Sequence, residues 1–394
     1  MLQSLGPARE DKIIALMQAF RADPRTDKVD LGVGVYKDAS GNTPIFAAVK
    51  QAEEQLWQEQ GTKGYTALLG NADYIAAMQA LTLGDAVPAE RLTAAQAVGG
   101  TGALRTLFQL VLSADPEARF WISDPSWPNH AAILEAMGAP WQSYRYFDRT
   151  TRMVDVEGMH ADLADIGPHD VVVLHGCCHN PTGANLTAAD WAALTAHFAA
   201  TGATPLIDIA YQGFGDGLEE DAAGLRTMAA GVPQLLIAAS CSKNFGVYRD
   251  RVGCAIVLAE TQAIRDRVAG ALTAINRTYF SFTPDHGAAV VAKVLTDPAL
   301  RQSWETELKA MRTRMLALRE GLADALRRET NSDRFDFLAA HRGMFSLLGA
   351  TPEQLAELKE RDGIYIVGDS RVNVAGLPED GLPALARALV SAGV

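Results

Sequence analysis

Between residues 94 and 258, short apolar runs alternate with loops rich in Gly, Pro, Asn and Asp and with longer amphipathic stretches, and few folds accept that pattern. The runs occupy 94–98, 119–123, 170–175, 205–209, 234–240 and 253–258. Parallel neighbours need a crossover, usually helical, so short runs spaced by helical stretches describe βαβ units. The expected fold class is therefore α/β, with a mostly parallel central sheet covered on both faces. Pro125, Pro128, Pro181 and Gly183 punctuate the strand exits.

At 394 residues the chain exceeds one ordinary core. Outside the alternating region, helices are expected over 50–60, 74–83, 304–328 and 378–392, with further short apolar runs at 335–348 and 364–367. The mixed tail, joined through the long charged helix, assigns 45–305 to a large domain and 1–44 with 306–394 to a smaller one.

A net charge of −12, with no basic run to offset it, repels nucleic acid and anionic lipid. The first twelve residues turn polar before a signal-like apolar stretch can form, and no run of membrane-spanning length follows. A cytoplasmic location is expected. Cys177, Cys178, Cys241 and Cys254 lack the spacing of a disulfide framework and read as buried thiols. His175, Cys177, Cys178 and His179 crowd together, but successive strand residues point to opposite faces, so no metal is expected there.

In an open α/β sheet, ligands bind at the C-terminal strand ends. Gly99-Gly100-Thr101-Gly102 follows the first run and opens a helix, where free backbone N–H groups and a hydroxyl suit a phosphate; a plain structural turn would use the same glycines. Trp127, between Pro125 and Pro128, can stack on a planar ligand or pack on its neighbours. Asn180-Pro181-Thr182-Gly183 presents an amide on a turn of a kind that is usually structural. Asp208 ends an apolar run, where a carboxylate needs a cationic partner unless it caps a helix. Ser240-Cys241-Ser242-Lys243 ends the next, followed by Tyr248 and Arg251.

Each signal is modest alone. Together, five strand ends supply a phosphate cradle, a stacking ring, hydrogen-bonding groups, a buried acid and a lysine. Pyridoxal 5′-phosphate needs that set: donors for its phosphate, an acid for its pyridine nitrogen and a lysine to condense with its aldehyde.

The chain resembles the class I pyridoxal-phosphate aminotransferases of fold type I, in the aspartate/aromatic amino-acid subgroup. The resemblance rests on LGVGVYKD at 31–38, GGTGALR at 99–105, PSWPNH at 125–130, HGCCHNPTG at 175–183, SCSKN at 240–244 and SRVNVAG at 370–376. It implies that Lys243 attaches the cofactor and shuttles the substrate Cα proton. Asp208, supported by His130 and His175, would pair with the ring nitrogen, and Asn180 and Tyr211 with the phenolate oxygen. Trp127 would stack on the ring. Gly100, Thr101, Ser240, Ser242 and Arg251 would hold the phosphate, joined by Tyr65 of a neighbouring subunit.

It further implies that Arg371 clamps the substrate α-carboxylate near Gly34 with help from Asn180, since a planar fork fits a carboxylate. Family members are homodimers with shared sites, so Arg277 would reach into the partner's site to meet a distal carboxylate. The expected reaction is amino transfer from Phe, Tyr or Trp, and from Asp or Glu, to 2-oxoglutarate through a pyridoxal/pyridoxamine phosphate ping-pong cycle. The aromatic preference rests on Gly64 and Phe282, where strict aspartate enzymes of the family typically carry Asn; losing two amides eases entry of an uncharged ring. Val35 and Lys37 remain aspartate-like. A strict aspartate aminotransferase and a lyase of the same fold are the alternatives.

Overall fold

A computed structural model describes residues 2–4, 6 and 12–394. Positions 1, 5 and 7–11, which begin the expected smaller domain and include most of the polar start, lie outside the described residues. At the centre is a seven-stranded sheet built from β1 (Leu92–Val98), β2 (Arg119–Asp124), β3 (Trp141–Arg145), β4 (Asp170–His175), β5 (Thr204–Ile209), β6 (Leu235–Ser240) and β7 (Val252–Leu258). Their order across the sheet is β1-β7-β6-β5-β4-β2-β3.

Strands β6, β5, β4, β2 and β3 run parallel to one another. β7 is antiparallel to both β6 and β1. It returns from β6 through the turn region 241–251 with no crossover helix, and without a crossover the chain must reverse. Both faces of the sheet are covered, as the long apolar runs require. Alternate residues divide between them: Val172, Leu174, Ile207 and Ile237 enter one core cluster, while Val171, Val173, Leu206 and Leu236 enter the other. α1 (Gly99–Ala114) presents Leu104, Leu107 and Phe108 to the second cluster.

The edge strand β3 is absent from the sequence reading. Of its five residues only Tyr144 is buried, so it has no apolar run to reveal it. α2 (Gln262–Tyr279) packs against β1. α3 (Pro298–Thr330) is 33 residues long and starts six residues before the expected position, because Asp297 caps it by accepting from the Ala299 and Leu300 N–H groups and Pro298 takes the first turn. Its first half sends Trp304, Leu308 and Met311 into the main core. The second half sends Leu318, Leu322 and Leu326 into a separate cluster with Leu31, Leu355, Leu385 and Leu389 from both ends of the chain.

Two short ladders tie this terminal cluster together: Val29–Asp30 runs parallel to Ile364–Tyr365, and Phe345–Leu347 antiparallel to Arg371–Asn373. The final helix is Leu382–Ser391, shorter than expected because residues 378–381 form a turn closed by Gly381 N–H to Pro378 O. Among the described residues, no helix is long and apolar enough to cross a membrane.

Candidate active site

Strand register assembles the site. Asp208 lies opposite His175 on β4 and Ala238 on β6, and Ser240 lies opposite Gly253 on β7. Adjacent strand ends therefore deliver their side chains to one cavity of about 210 Å³, into which Gly100, Thr101, Trp127, Asn180, Asp208, Tyr211, Ser240, Ser242, Lys243, Arg251 and Gly34 all face.

The β1–α1 junction leaves little room beside Gly99 and Gly100. Gly99 has φ +69°, and a Cβ there would fall 2.5 Å from the Arg251 guanidinium; one on Gly100 would fall 3.0 Å from Ser240 Cβ. Residues 99–102 open the helix with no acidic side chain in its first turn, leaving donors and a dipole end that favour an anion. Ser240 and Ser242 hydroxyls are buried and bonded to each other at 3.2 Å. These hydroxyls, the guanidinium and the helix start form a phosphate-sized donor set.

On the opposite wall, His130 Nε2 donates to Asp208 Oδ2 at 2.9 Å, and Ser126 Oγ sits 2.9 Å from His130 Nδ1. Burial alone would raise the Asp208 carboxyl, but the His130 bond, with the nearby Lys243 charge, outweighs it and holds Asp208 below the usual carboxylate range. The acid thus stays ionised beside the cavity. His175 does not bond the carboxylate; it reaches Ser126 at 3.3 Å, and burial pushes its ring far below the ordinary imidazole range, leaving it neutral.

Lys243 is half-buried and its amine lies 4.8 Å from the Tyr211 ring centre. Burial, aided by the Arg251 and Arg371 charges and opposed by Asp208, brings it down to about 8. A neutral, nucleophilic amine is accessible near neutral pH. Burial pushes the Tyr211 hydroxyl well up, against the pull of Arg371.

Arg371 is buried behind Asn180, donating to its Oδ1 at 3.3 Å and to Gly32 O at 3.3 Å. Its Nε has no partner, so the fork still has capacity for a carboxylate. Its guanidinium rests over the Phe345 ring at 4.4 Å.

Two expected residues stay apart from the cavity. Tyr65 is 86% exposed and stacks on Phe282 at 4.6 Å. Arg277, in the last turn of α2, donates to Ser281. Cys177, Ala210 and Tyr248 line the cavity without having been assigned roles. Tyr248 accepts the Tyr36 N–H at 3.0 Å, linking the 31–38 segment to the site, and burial pushes its hydroxyl up to about 12. Nothing in its sequence setting signals that cross-chain bond.

The neighbouring cysteines are expected not to converge without a turn, and a turn is present. β4 ends at His175, and the turn that follows places Cys178 at φ +51°, so Cys177, Cys178 and Asp221 offer ligand atoms within 4.8 Å of one another. The Asp221 carboxylate already accepts the N–H groups of Gly213, Gly215 and Asp216 at 2.8–2.9 Å, which makes it a loop-organising acceptor.

A lysine suited to condensation, an ionised acid and an anion cradle around one cavity fit a pyridoxal-phosphate enzyme, and the aminotransferase class I and II family model matches residues 26–389. The chain belongs to that family and is a pyridoxal-phosphate-dependent aminotransferase. It is 56% identical over 394 residues, all of both chains, to the aromatic-amino-acid aminotransferase of Paracoccus denitrificans. It is 42% identical to the aspartate aminotransferase of Haemophilus influenzae, over 99% of each chain. Among solved structures, the aromatic-amino-acid aminotransferase from Burkholderia pseudomallei covalently bound to pyridoxal phosphate matches with a TM-score of 0.96 at 41% identity, over 100% of this chain and 99% of that one.

Proposed function

We propose that the chain transfers the amino group of aromatic L-amino acids, and also of aspartate and glutamate, to 2-oxoglutarate. The observation that carries the aromatic reading is the full-length 56% identity to an aromatic-amino-acid aminotransferase. The site supports it: Gly64 and Phe282 offer no amide, and Phe282 adds an apolar ring against Tyr65. When bound, pyridoxal phosphate supplies the electron sink for the pair left at the substrate Cα.

The chain's own groups do the rest. Gly100, Thr101, Ser240, Ser242 and Arg251 bind the phosphate, and Trp127 packs on the ring. Asp208, kept ionised by His130, holds a proton on the ring nitrogen, while Asn180 and Tyr211 hydrogen-bond the phenolate oxygen. Lys243 would hold the cofactor and, as a free amine, would move the substrate Cα proton. Arg371, with Asn180 and the Gly34 backbone, grips the α-carboxylate.

We further read the molecule as a cytoplasmic homodimer in which Tyr65 and Arg277 complete the partner's site. Their surface positions, away from their own chain's cavity, support that reading. The separate terminal core supports a smaller domain built from both ends of the chain, proposed as 1–44 with 306–394 against 45–305, with the first half of α3 packed on the main core. Steady-state assays with phenylalanine, tyrosine, tryptophan and aspartate against 2-oxoglutarate test the substrate assignment. Phenylalanine and tyrosine should match or exceed aspartate in kcat/KM. Aromatic values far below that of aspartate would make the protein an ordinary aspartate aminotransferase.

A further inference from the structure

Arg319, on the second half of α3, is 1% exposed, and no carboxylate pairs with it among the described residues. A buried cation ordinarily has an acidic partner. Here backbone dipoles replace it. Nη2 donates to Phe345 O at 2.7 Å, Gly343 O at 2.8 Å and Arg342 O at 3.2 Å. Nη1 donates to Ser346 Oγ at 2.8 Å and Leu338 O at 3.1 Å, and Nε to Gly343 O at 3.2 Å. Five donor positions are thus used to fix one short segment, 338–346.

That segment lies directly against the carboxylate-facing side of the site. Arg342 N–H donates to Gly183 O at 2.9 Å, closing the turn that presents Asn180. A Cβ on Gly183 would fall 2.3 Å from Phe345 O, so turn and segment touch backbone to backbone. Phe345 pairs with Asn373 and Leu347 with Arg371 in the antiparallel ladder. The Phe345 ring, besides carrying the Arg371 guanidinium, lies 3.4 Å from where a Cβ on Gly34 would be. Arg371, Asn180 and Gly34 therefore all take their positions from the segment that Arg319 holds.

We propose that Arg319 is a positioning residue for recognition of the substrate's α-carboxylate, acting through residues 342–346 to aim Arg371 and Asn180; this rests on the reading of Arg371 as the carboxylate anchor. A buried guanidinium held by carbonyls tolerates little displacement of the segment. Without it the carbonyls lose their donors and the Phe345 platform is free to shift.

The test compares R319M and R319K holoenzymes with wild type and with R371M. Inhibition constants against phenylalanine are measured for 3-phenylpropionate and for its neutral amide. R319M should weaken the carboxylate by about tenfold and the amide by no more than about twofold. R319K should fall between R319M and wild type, since an ammonium can satisfy some of the same carbonyls. An unchanged carboxylate-to-amide ratio in R319M overturns the proposal, whether both ligands bind as before or both weaken alike. If R319M yields no folded holoenzyme, R319K decides by the same ratio. Should R371M also leave the ratio unchanged, the anchor reading itself fails and the proposal with it; a ratio lowered in R371M alone overturns only the role of Arg319.

Discussion

Lys243, the proposed cofactor lysine, is disposed to give up a proton, because burial and two nearby guanidinium groups bring it down to about 8. Replacing it with alanine should abolish turnover and remove the yellow absorbance of the purified protein; measurable wild-type-like activity in Lys243→Ala would contradict its assignment. The shift also fixes a pH dependence of stability. In the cofactor-free chain the folded-state value of about 8 lies below the ordinary 10.5. Between those values the unfolded chain binds more protons, so this group's contribution makes stability rise with pH. In urea unfolding of the cofactor-free proteins, the stability of wild type relative to Lys243→Met should increase from pH 8 to pH 10; a constant difference would contradict the shift. For Asp208, ionisation beside the cavity is the property that matters. Asp208→Ala should lower kcat by about a hundredfold or more while cofactor content falls far less, since the phosphate donors remain. Equal turnover in that variant would leave Asp208 a mere strand-end acceptor.

Between β1 and α1, the backbone rather than any side chain shapes the phosphate cradle. Gly99 is favoured by its positive φ, and a Cβ there would displace the Arg251 guanidinium from the cradle. Gly99→Ala should therefore weaken cofactor binding and leave the thermal transition of the holoenzyme lowered; equilibrium dialysis of pyridoxal phosphate measures the first effect, and an unchanged dissociation constant would rule the cradle out. Thr187 and Asp190 form a reciprocal capping box at the start of Ala188–Thr201, absent from the sequence reading. Thr187→Ala should cost roughly 1 kcal/mol of stability without changing activity. The βαβ alternation was legible because β4, β5, β6 and β7 are buried along their whole length. β3 was not, since an edge strand with one buried side chain carries no hydrophobic signature. The early start of α3 was missed because its capping aspartate and first-turn proline precede its amphipathic pattern.

Across the whole molecule, Tyr65 and Arg277 separate what one chain builds from what an assembly would. Both sit at the surface of the chain, clear of the cavity they are expected to serve in a partner. Co-expressing Lys243→Ala chains with Arg277→Ala chains should restore part of the aspartate activity, because one hybrid site then carries both wild-type residues. Verified heterodimers with no recovery would mean that each chain builds its own site.

The sequence by itself determined the fold class and the chemistry. Hydrophobic periodicity reports burial on both faces of a sheet, and strand ends in such a sheet are where ligands bind, so Lys243, Asp208 and the glycines of the β1–α1 junction could be nominated from local pattern and motif. The tertiary structure alone decided what depends on contacts between distant segments. It turned β7 against the other strands, brought Cys177 and Cys178 beside Asp221, set His130 rather than His175 on Asp208, and placed Tyr248 under Tyr36 and Phe345 under Arg371. Tyr36 and Tyr248, 212 positions apart, have no local signature, because neither partner's neighbours in sequence carry information about a contact that only packing creates.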